Sequence, residues 1–304
     1  MSESFTLRSG YDGLGISVMM TLPEGEPLAV LQVAHGMRGH KERFALFMEY
    51  MAAKGVACVV NDHRGHGDSV RVVEDRGYMY SGGYHALVDD MRIVNEWIHR
   101  RFPEKPVFLL GHSMGSLAAR TYLKSHDDSV AGVILCGSPS APPAFPVALH
   151  LFVAMNVFGQ GRLRPKMVQS LISWIYNRRF SAEGKYAWLS SDPVERKEFV
   201  SDPASAFDFT SNALLALMGL IKETYSFDGW NVANPTVPVY FISGSDDPCM
   251  RTEAAFHASV QHMADLGYED VTSAIYMGMR HEVLNEIGKE TVWEDVLSHI
   301  LRTH

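Results

Sequence analysis

Short apolar runs alternate with stretches of helical spacing through the first part of this chain and again near its end. Residues 16–22 and 28–34 read as strands joined by the turn Pro23-Glu24-Gly25-Glu26-Pro27. Residues 44–54 carry helical apolar spacing and stop at Gly55, a favourable helix end. The β-branched run 56–60 suits a strand buried on both faces. An amphipathic helix is predicted over 84–102, closed by Pro103, followed by strands at 107–110 and 130–136. Further on, strand 237–243, helix 253–266, strand 272–276 and helix 290–302 resume the same rhythm. Strands alternating with helices imply a mostly parallel α/β sheet with right-handed crossovers.

The rhythm breaks after Gly137. Residues 138–146 are rich in proline, serine and alanine, the composition of a loop. From 147 to about 235 helical patterns follow one another without strands, among them 148–158, 165–178 and 212–225. The expected organisation is one α/β core built from residues 1–137 and 236–304, with a helical insertion over 138–235. No internal repeat or low-complexity segment is visible.

The most informative stretch is Gly111-His112-Ser113-Met114-Gly115, set between the apolar run Pro106-Val107-Phe108-Leu109-Leu110 and the helical run Ser116-Leu117-Ala118-Ala119-Arg120. Strand, sharp turn and helix in that order are what a nucleophile elbow requires, with the serine hydroxyl projecting from the sheet edge. A side chain on either flanking glycine would crowd the turn. A serine hydroxyl also needs a base, and the base an orienting acid. After the strand 237–243 come Gly244-Ser245-Asp246-Asp247-Pro248, and after the strand 272–276 come Met277-Gly278-Met279-Arg280-His281-Glu282. In an open α/β sheet the strand ends form the functional edge, so the three groups converge there. Ser113 is the expected nucleophile, His281 the general base and acid, and Asp247 the orienting carboxylate. Asp246 competes with Asp247 for that role, since one of the two is expected to cap the turn. For the developing oxyanion, Met114 N–H follows the nucleophile directly. Met37, in the loop His35-Gly36-Met37 after strand 28–34, is the second expected donor.

These residues resemble the α/β-hydrolase superfamily, in particular its monoacylglycerol lipase and lysophospholipase-like branch, grouped with serine aminopeptidase S33-type hydrolases. The resemblance rests on His35-Gly36-Met37-Arg38-Gly39-His40 with Arg43-Phe44, on Asp62-His63-Arg64-Gly65-His66-Gly67-Asp68-Ser69 and on the elbow. Gly244-Ser245-Asp246-Asp247 and Arg280-His281-Glu282-Val283-Leu284-Asn285-Glu286 complete it. It covers both core segments; the insertion matches in position and helical character alone. It implies an α/β-hydrolase fold, a mostly parallel central sheet flanked by helices, with a helical cap inserted after the sixth strand. It also implies that the acid is the third residue after the glycine, which is Asp247. Two positions depart from the family pattern. Gly39 stands where its lipases often carry an acid, and Ser116 where a further glycine is usual; both bear on head-group preference.

Composition then narrows the partners. The chain has 304 residues, 46% hydrophobic and 20% charged, with a net charge of −8. That charge argues against broad binding to nucleic acid or to anionic membrane. The start Met1-Ser2-Glu3-Ser4 does not read as a secretory signal, and no apolar run could span a bilayer. Three sparse cysteines, Cys58, Cys136 and Cys249, fit a reducing cytoplasm. His35, His40, His63 and His66 cluster in sequence with Asp62 but lack a zinc-site spacing, so no metal and no cofactor are expected. His66 and Arg64 are expected to tie their loop together. His40 and Arg43 are candidate contacts to the substrate's polar end, and His112 is a further candidate substrate contact. The insertion's apolar residues, Phe145, Phe152 and Met155 among them, are candidate walls for an acyl chain. The same stripe suits transient contact with a lipid surface.

The expected function is hydrolysis of a small-molecule carboxylic ester through an acyl-enzyme, by a lysophospholipase, monoacylglycerol lipase or carboxylesterase. One rival is an aminopeptidase-type serine peptidase, which needs carboxylates such as Glu183, Glu195, Glu198, Asp202 or Asp208 to hold an amine. The other is a non-catalytic ligand-binding relative, which usually lacks a triad member.

Overall fold

In a computed structural model, which describes residues 2–142 and 145–302 with the side chains of 145–148 excepted, the apolar runs become a single sheet. Its strands are β1 (Ser2–Arg8), β2 (Gly15–Thr21), β3 (Ala29–Ala34), β4 (Val56–Asn61), β5 (Val107–His112), β6 (Gly132–Cys136), β7 (Val239–Gly244) and β8 (Val271–Tyr276). Their spatial order is β1-β2-β4-β3-β5-β6-β7-β8. From β4 to β8 every pairing is parallel, whereas β1 and β2 join as an antiparallel hairpin with β2 antiparallel to β4.

The helices are α1 (Ala45–Ala53), α2 (Gly83–Arg101), α3 (Met114–His126), α4 (Phe145–Phe158), α5 (Lys166–Asn177), α6 (Pro193–Ser201), α7 (Ser211–Tyr225), α8 (Glu253–Asp265) and α9 (Lys289–Arg302). Phe47, Met48 and Met51 of α1 pack with Trp293, Val296 and Ile300 of α9 on one face of the sheet. Leu87 and Met91 of α2, Leu117 and Leu123 of α3, and Phe256 of α8 cover the other. Strand β5 serves both faces: Phe108 and Leu110 join the first core, Leu109 the second. Burial on both sides is why the central strands read as continuous apolar runs.

Two elements were not predicted. Strand β1 is an exposed edge whose pattern is blurred by polar residues; Phe5 and Leu7 are its inward positions. Helix α6 begins with Asp192 capping Val194 N–H at 2.8 Å and Pro193 in its first turn, a start signal present in the sequence. Helices α4 to α7 all lie between β6 and β7, and α4 begins at Phe145, inside the stretch expected to be loop. No described helix is long and apolar enough to cross a membrane.

Candidate active site

The polypeptide leaves β5 at His112 and enters α3 at Met114, so the whole reversal falls on Ser113. Ser113 takes φ 53° and ψ −118°, a left-handed conformation costing a non-glycine residue on the order of 1–3 kcal/mol. The flanking glycines make the turn possible. A Cβ on Gly111 would lie 2.4 Å from the Gly115 carbonyl oxygen, and one on Gly115 only 2.1 Å from that of Ala34. The elbow is pinned by Ser113 N–H donating to Cys136 O at 2.9 Å. Ser116 Oγ donates to Ser113 O at 2.6 Å, a bond that a glycine at 116 could not make.

The turn after β7 brings Asp247, and the turn after β8 brings His281, to the same edge. Ser113 Oγ lies 2.8 Å from His281 Nε2, and His281 Nδ1 lies 3.0 Å from both carboxylate oxygens of Asp247. The tautomer that satisfies both contacts donates Nδ1–H to Asp247 and accepts the serine proton at Nε2. Asp247 is itself fixed by Cys249 N–H at 2.8 Å and Ser243 Oγ at 3.3 Å. Asp246 points elsewhere, paired with Arg179 at 2.8 Å. Burial of the His281 ring opposes its charge, but the Asp247 carboxylate and the Cys249 sulfur beside it together outweigh burial and hold its pKa well above the ordinary histidine value. His112, its ring tilted against that of His281 with centroids 4.9 Å apart, donates to His281 O at 3.3 Å; burial pushes its pKa down to about 4 and keeps it neutral.

Ser113 and His281 open onto a cavity of about 440 Å³, within the range that encloses a small organic ligand. Its walls include Met37, Ile172, Trp174, Tyr176, Trp188 and Leu214, with Arg43, Glu282 and Asn285 forming a polar corner. Neither Met37 N–H nor Met114 N–H is used in a hydrogen bond among the described residues, so both are free to donate. Met37 lines the cavity and Met114 follows the elbow serine.

The remaining candidates fall in different places. Arg43 lines the cavity but is committed to an ion pair with Glu282. His40 faces away from that cavity, bridging Glu42 at 2.7 Å and Asp202 at 2.5 Å. Phe152 and Met155 do not line it; they pack into the apolar core shared by α3 and α7, because α4 lays that side downward. The Phe145 side chain lies outside the described residues. His35, His63 and His66 form a buried cluster of tilted and edge-to-face rings with centroids 4.3 to 6.5 Å apart, their pKa values pushed down by burial, His63 to about 3 and His66 to about 4. His35 receives the His63 N–H at 2.8 Å, and the Arg64 guanidinium reaches Asp90 at 2.8 Å. These bonds and the His66 contact with Arg64 O at 3.1 Å tie the loop.

One group of residues that supports the site carries no motif in the sequence. Segment 186–191, before α6, is strapped to the His281 turn. Glu282 N–H donates to Leu189 O at 2.7 Å, and Arg280 Nη1 donates to Ala187 O at 2.6 Å. Buried Glu286 accepts Ser191 N–H and Arg280 N–H on Oε1, each at 2.8 Å. Its Oε2 takes the hydroxyls of Ser190 and Ser191 at 3.1 and 2.6 Å. The strap seats Trp188 against His281, ring centroids 4.9 Å apart. Glu286 stood within a motif carried by the resemblance, but its partners come from a segment without any pattern of its own.

An eight-stranded, mostly parallel sheet with a serine elbow after β5, and an acid and a histidine after the last two strands, defines an α/β-hydrolase. The chain belongs to the serine aminopeptidase, S33, family, whose model matches residues 25–288. It is similar to the monoacylglycerol lipase of Mycolicibacterium smegmatis, 25% identical over 294 residues, covering 96% of this chain and 95% of that protein. It also resembles the monoglyceride lipase of Homo sapiens, 30% identical over 113 residues, which cover 37% of this chain and 36% of that one. Among solved structures, a thermostable carboxyl esterase from Bacillus coagulans in complex with glycerol superimposes with a TM-score of 0.91. That match has 23% sequence identity and covers 99% of this chain and 98% of the esterase.

Proposed function

We propose that the protein hydrolyses carboxylic esters of an acyl chain with a small alcohol, of the monoacylglycerol or lysophospholipid type, through an acyl-enzyme on Ser113. The observation that carries this reading is the continuous hydrogen-bonded line from Ser113 through His281 to Asp247, opening into an apolar cavity. Ser113 Oγ attacks the ester carbonyl as His281 Nε2 takes its proton, while Asp247 fixes the ring and balances the imidazolium. The free N–H groups of Met37 and Met114 receive the oxyanion. His281 then protonates the departing alcohol and, on the return half, activates water. The acyl chain occupies the apolar walls, and the polar corner of Arg43, Glu282 and Asn285 faces the alcohol.

Residues 138–235 act in this reading as a cap. Its outer surface carries Leu151, Val157 and Phe158 of α4 and Met167, Leu171 and Trp174 of α5, all exposed, and α5 buries none of its residues. Such a face suits transient docking on a lipid surface from which the substrate is drawn. Three free, buried cysteines accord with a reducing compartment such as the cytoplasm. The peptidase alternative is less well supported. Glu183, Glu195 and Asp202 are engaged with Arg280, Lys289 and His40, which leaves Asp208 as the carboxylate of that group lining the cavity. Hydrolysis of 4-nitrophenyl esters from acetate to palmitate, beside monoacylglycerols, lysophospholipids and aminoacyl anilides, tests the reading. Turnover rising with acyl length and absent in Ser113→Ala supports it; rapid anilide cleavage with poor ester turnover overturns it.

A further inference from the structure

The proposed reaction uses His281 and Asp247 but gives no work to the thiol between them and the cap. Cys249 follows Asp247 by two residues, its N–H held by the Asp247 carboxylate at 2.8 Å. This turn places its side chain beside the histidine, under Phe180, Trp188 and Leu189. One ligating atom each from Asp247, Cys249 and His281 lie within 4.8 Å of one another, and all three residues are buried. A tetrahedral zinc site with bonds of roughly 2.0–2.3 Å sets its ligand atoms about 3.3–3.6 Å apart, so small side-chain movements would close this set on an ion.

We propose that Asp247, Cys249 and His281 form an inhibitory site for a thiophilic divalent cation of the Zn²⁺ type. The ligand set is one carboxylate, one imidazole and one thiolate, the combination that favours zinc, cadmium or cobalt over magnesium or calcium. The balance is simple. The cation inserts between His281 Nδ1 and Asp247, the ring proton moves from Nδ1 to Nε2, and the Cys249 thiol releases its proton to solvent. Two positive charges then meet one carboxylate and one thiolate, so the filled site is neutral, as a buried site favours. With Nε2 protonated, His281 can no longer accept the Ser113 proton, and acylation stops. His281 and Tyr176 line the cavity, which gives the ion a route in. The inhibition rests on the catalytic reading above; the binding does not.

The experiment separates the two. Cobalt(II) chloride is titrated into Ser113→Ala protein, which needs no turnover, and the near-ultraviolet thiolate-to-cobalt charge-transfer band is followed. The band is expected to appear, to vanish with EDTA, and to be absent from Ser113→Ala/Cys249→Ala and from Ser113→Ala/Cys249→Ser, whose folding is checked by circular dichroism. In parallel, zinc chloride is expected to inhibit ester turnover of the wild type, with magnesium chloride inert, each protein being normalised to its own metal-free rate. Loss of an outer partner alone costs metal sites about 10–100-fold, so loss of the sulfur ligand should weaken zinc inhibition at least tenfold. Absence of the band in Ser113→Ala, or its persistence or equal zinc sensitivity without the thiol, would overturn the proposal. A cobalt band in a protein lacking esterase activity would leave the site standing and remove the catalytic reading.

Discussion

Replacing Glu286 with alanine removes the carboxylate that joins the strap 186–191 to the His281 turn. Its two oxygens are used differently. Oε1 takes two backbone N–H groups, of Arg280 and Ser191, and Oε2 takes two serine hydroxyls and, more weakly at 3.3 Å, the Ile287 N–H. The hydroxyls can rotate towards other acceptors, but the backbone donors cannot. Each buried donor left unpaired costs about 1–3 kcal/mol, so losing the two on Oε1 should cost Glu286→Ala about 2–6 kcal/mol of stability. Glu286→Gln is the discriminating partner. It can keep an oxygen for the two backbone donors of Oε1 and present its NH₂ to hydroxyls that then accept, giving up the long Ile287 contact, a loss of about 1 kcal/mol. Equilibrium urea unfolding followed by tryptophan fluorescence measures both, and Trp188 within the strap contributes to the signal. With the strap released, His281 loses its Trp188 support, and kcat should fall on the order of tenfold to a hundredfold in the alanine variant. Equal stability losses for Ala and Gln, or an unchanged kcat in Glu286→Ala, would refute the reasoning.

Three further outcomes are expected. The base must be neutral, and the Asp247 carboxylate raises the His281 pKa, so the acid limb of the kcat/KM profile should lie above pH ~6.5. Asp247→Asn removes that influence, and should move the limb to lower pH while reducing kcat by on the order of 10⁴. Gly244→Ala places a Cβ 2.1 Å from Met279 O and 2.4 Å from Arg280 O, so it should separate the acid turn from the histidine turn, lowering both melting temperature and kcat. For His40, burial opposes the charge, but Glu42 and Asp202 prevail and raise its pKa. A raised folded-state pKa gives stability that is full below the unfolded value and lost as pH rises through the folded one. The melting-temperature advantage of wild type over His40→Gln should therefore be largest below about pH 6.5 and fade as the pH rises above that value.

The core was legible because its strands are buried on both faces and its loops carry fixed chemistry. Continuous runs such as Val56 to Val60 admit few alternatives, and the steric demands on Gly111 and Gly115 leave a trace in the sequence itself. Residues 113, 247 and 281 lie far apart along the chain, yet each follows a strand, so their meeting at one edge could be reasoned out. The choice between Asp246 and Asp247 needed the resemblance; the structure separates them through Arg179, a partner from the helical segment. What stayed hidden depends on long-range packing. Phe152 and Met155 looked like pocket walls because apolar spacing on α4 does not say which neighbour it meets. Met167 and Trp174 of α5 have the same character but opposite fates: the former is fully outside, the latter lines the cavity while remaining largely exposed. Sequence alone makes His40 a candidate substrate contact; in the structure it links the loop after β3 to Asp202, a residue with no local signal of that pairing.

The central claim is an acyl-enzyme on Ser113, and trapping it is the most direct test. Protein quenched during turnover of a slow ester, or treated with a fluorophosphonate, is digested and its peptides weighed. The account predicts one added acyl or phosphonyl group on the peptide containing Ser113, absent from Ser113→Ala, whose turnover should fall by on the order of a millionfold. Label on another residue, or esterase activity surviving in Ser113→Ala, would contradict it.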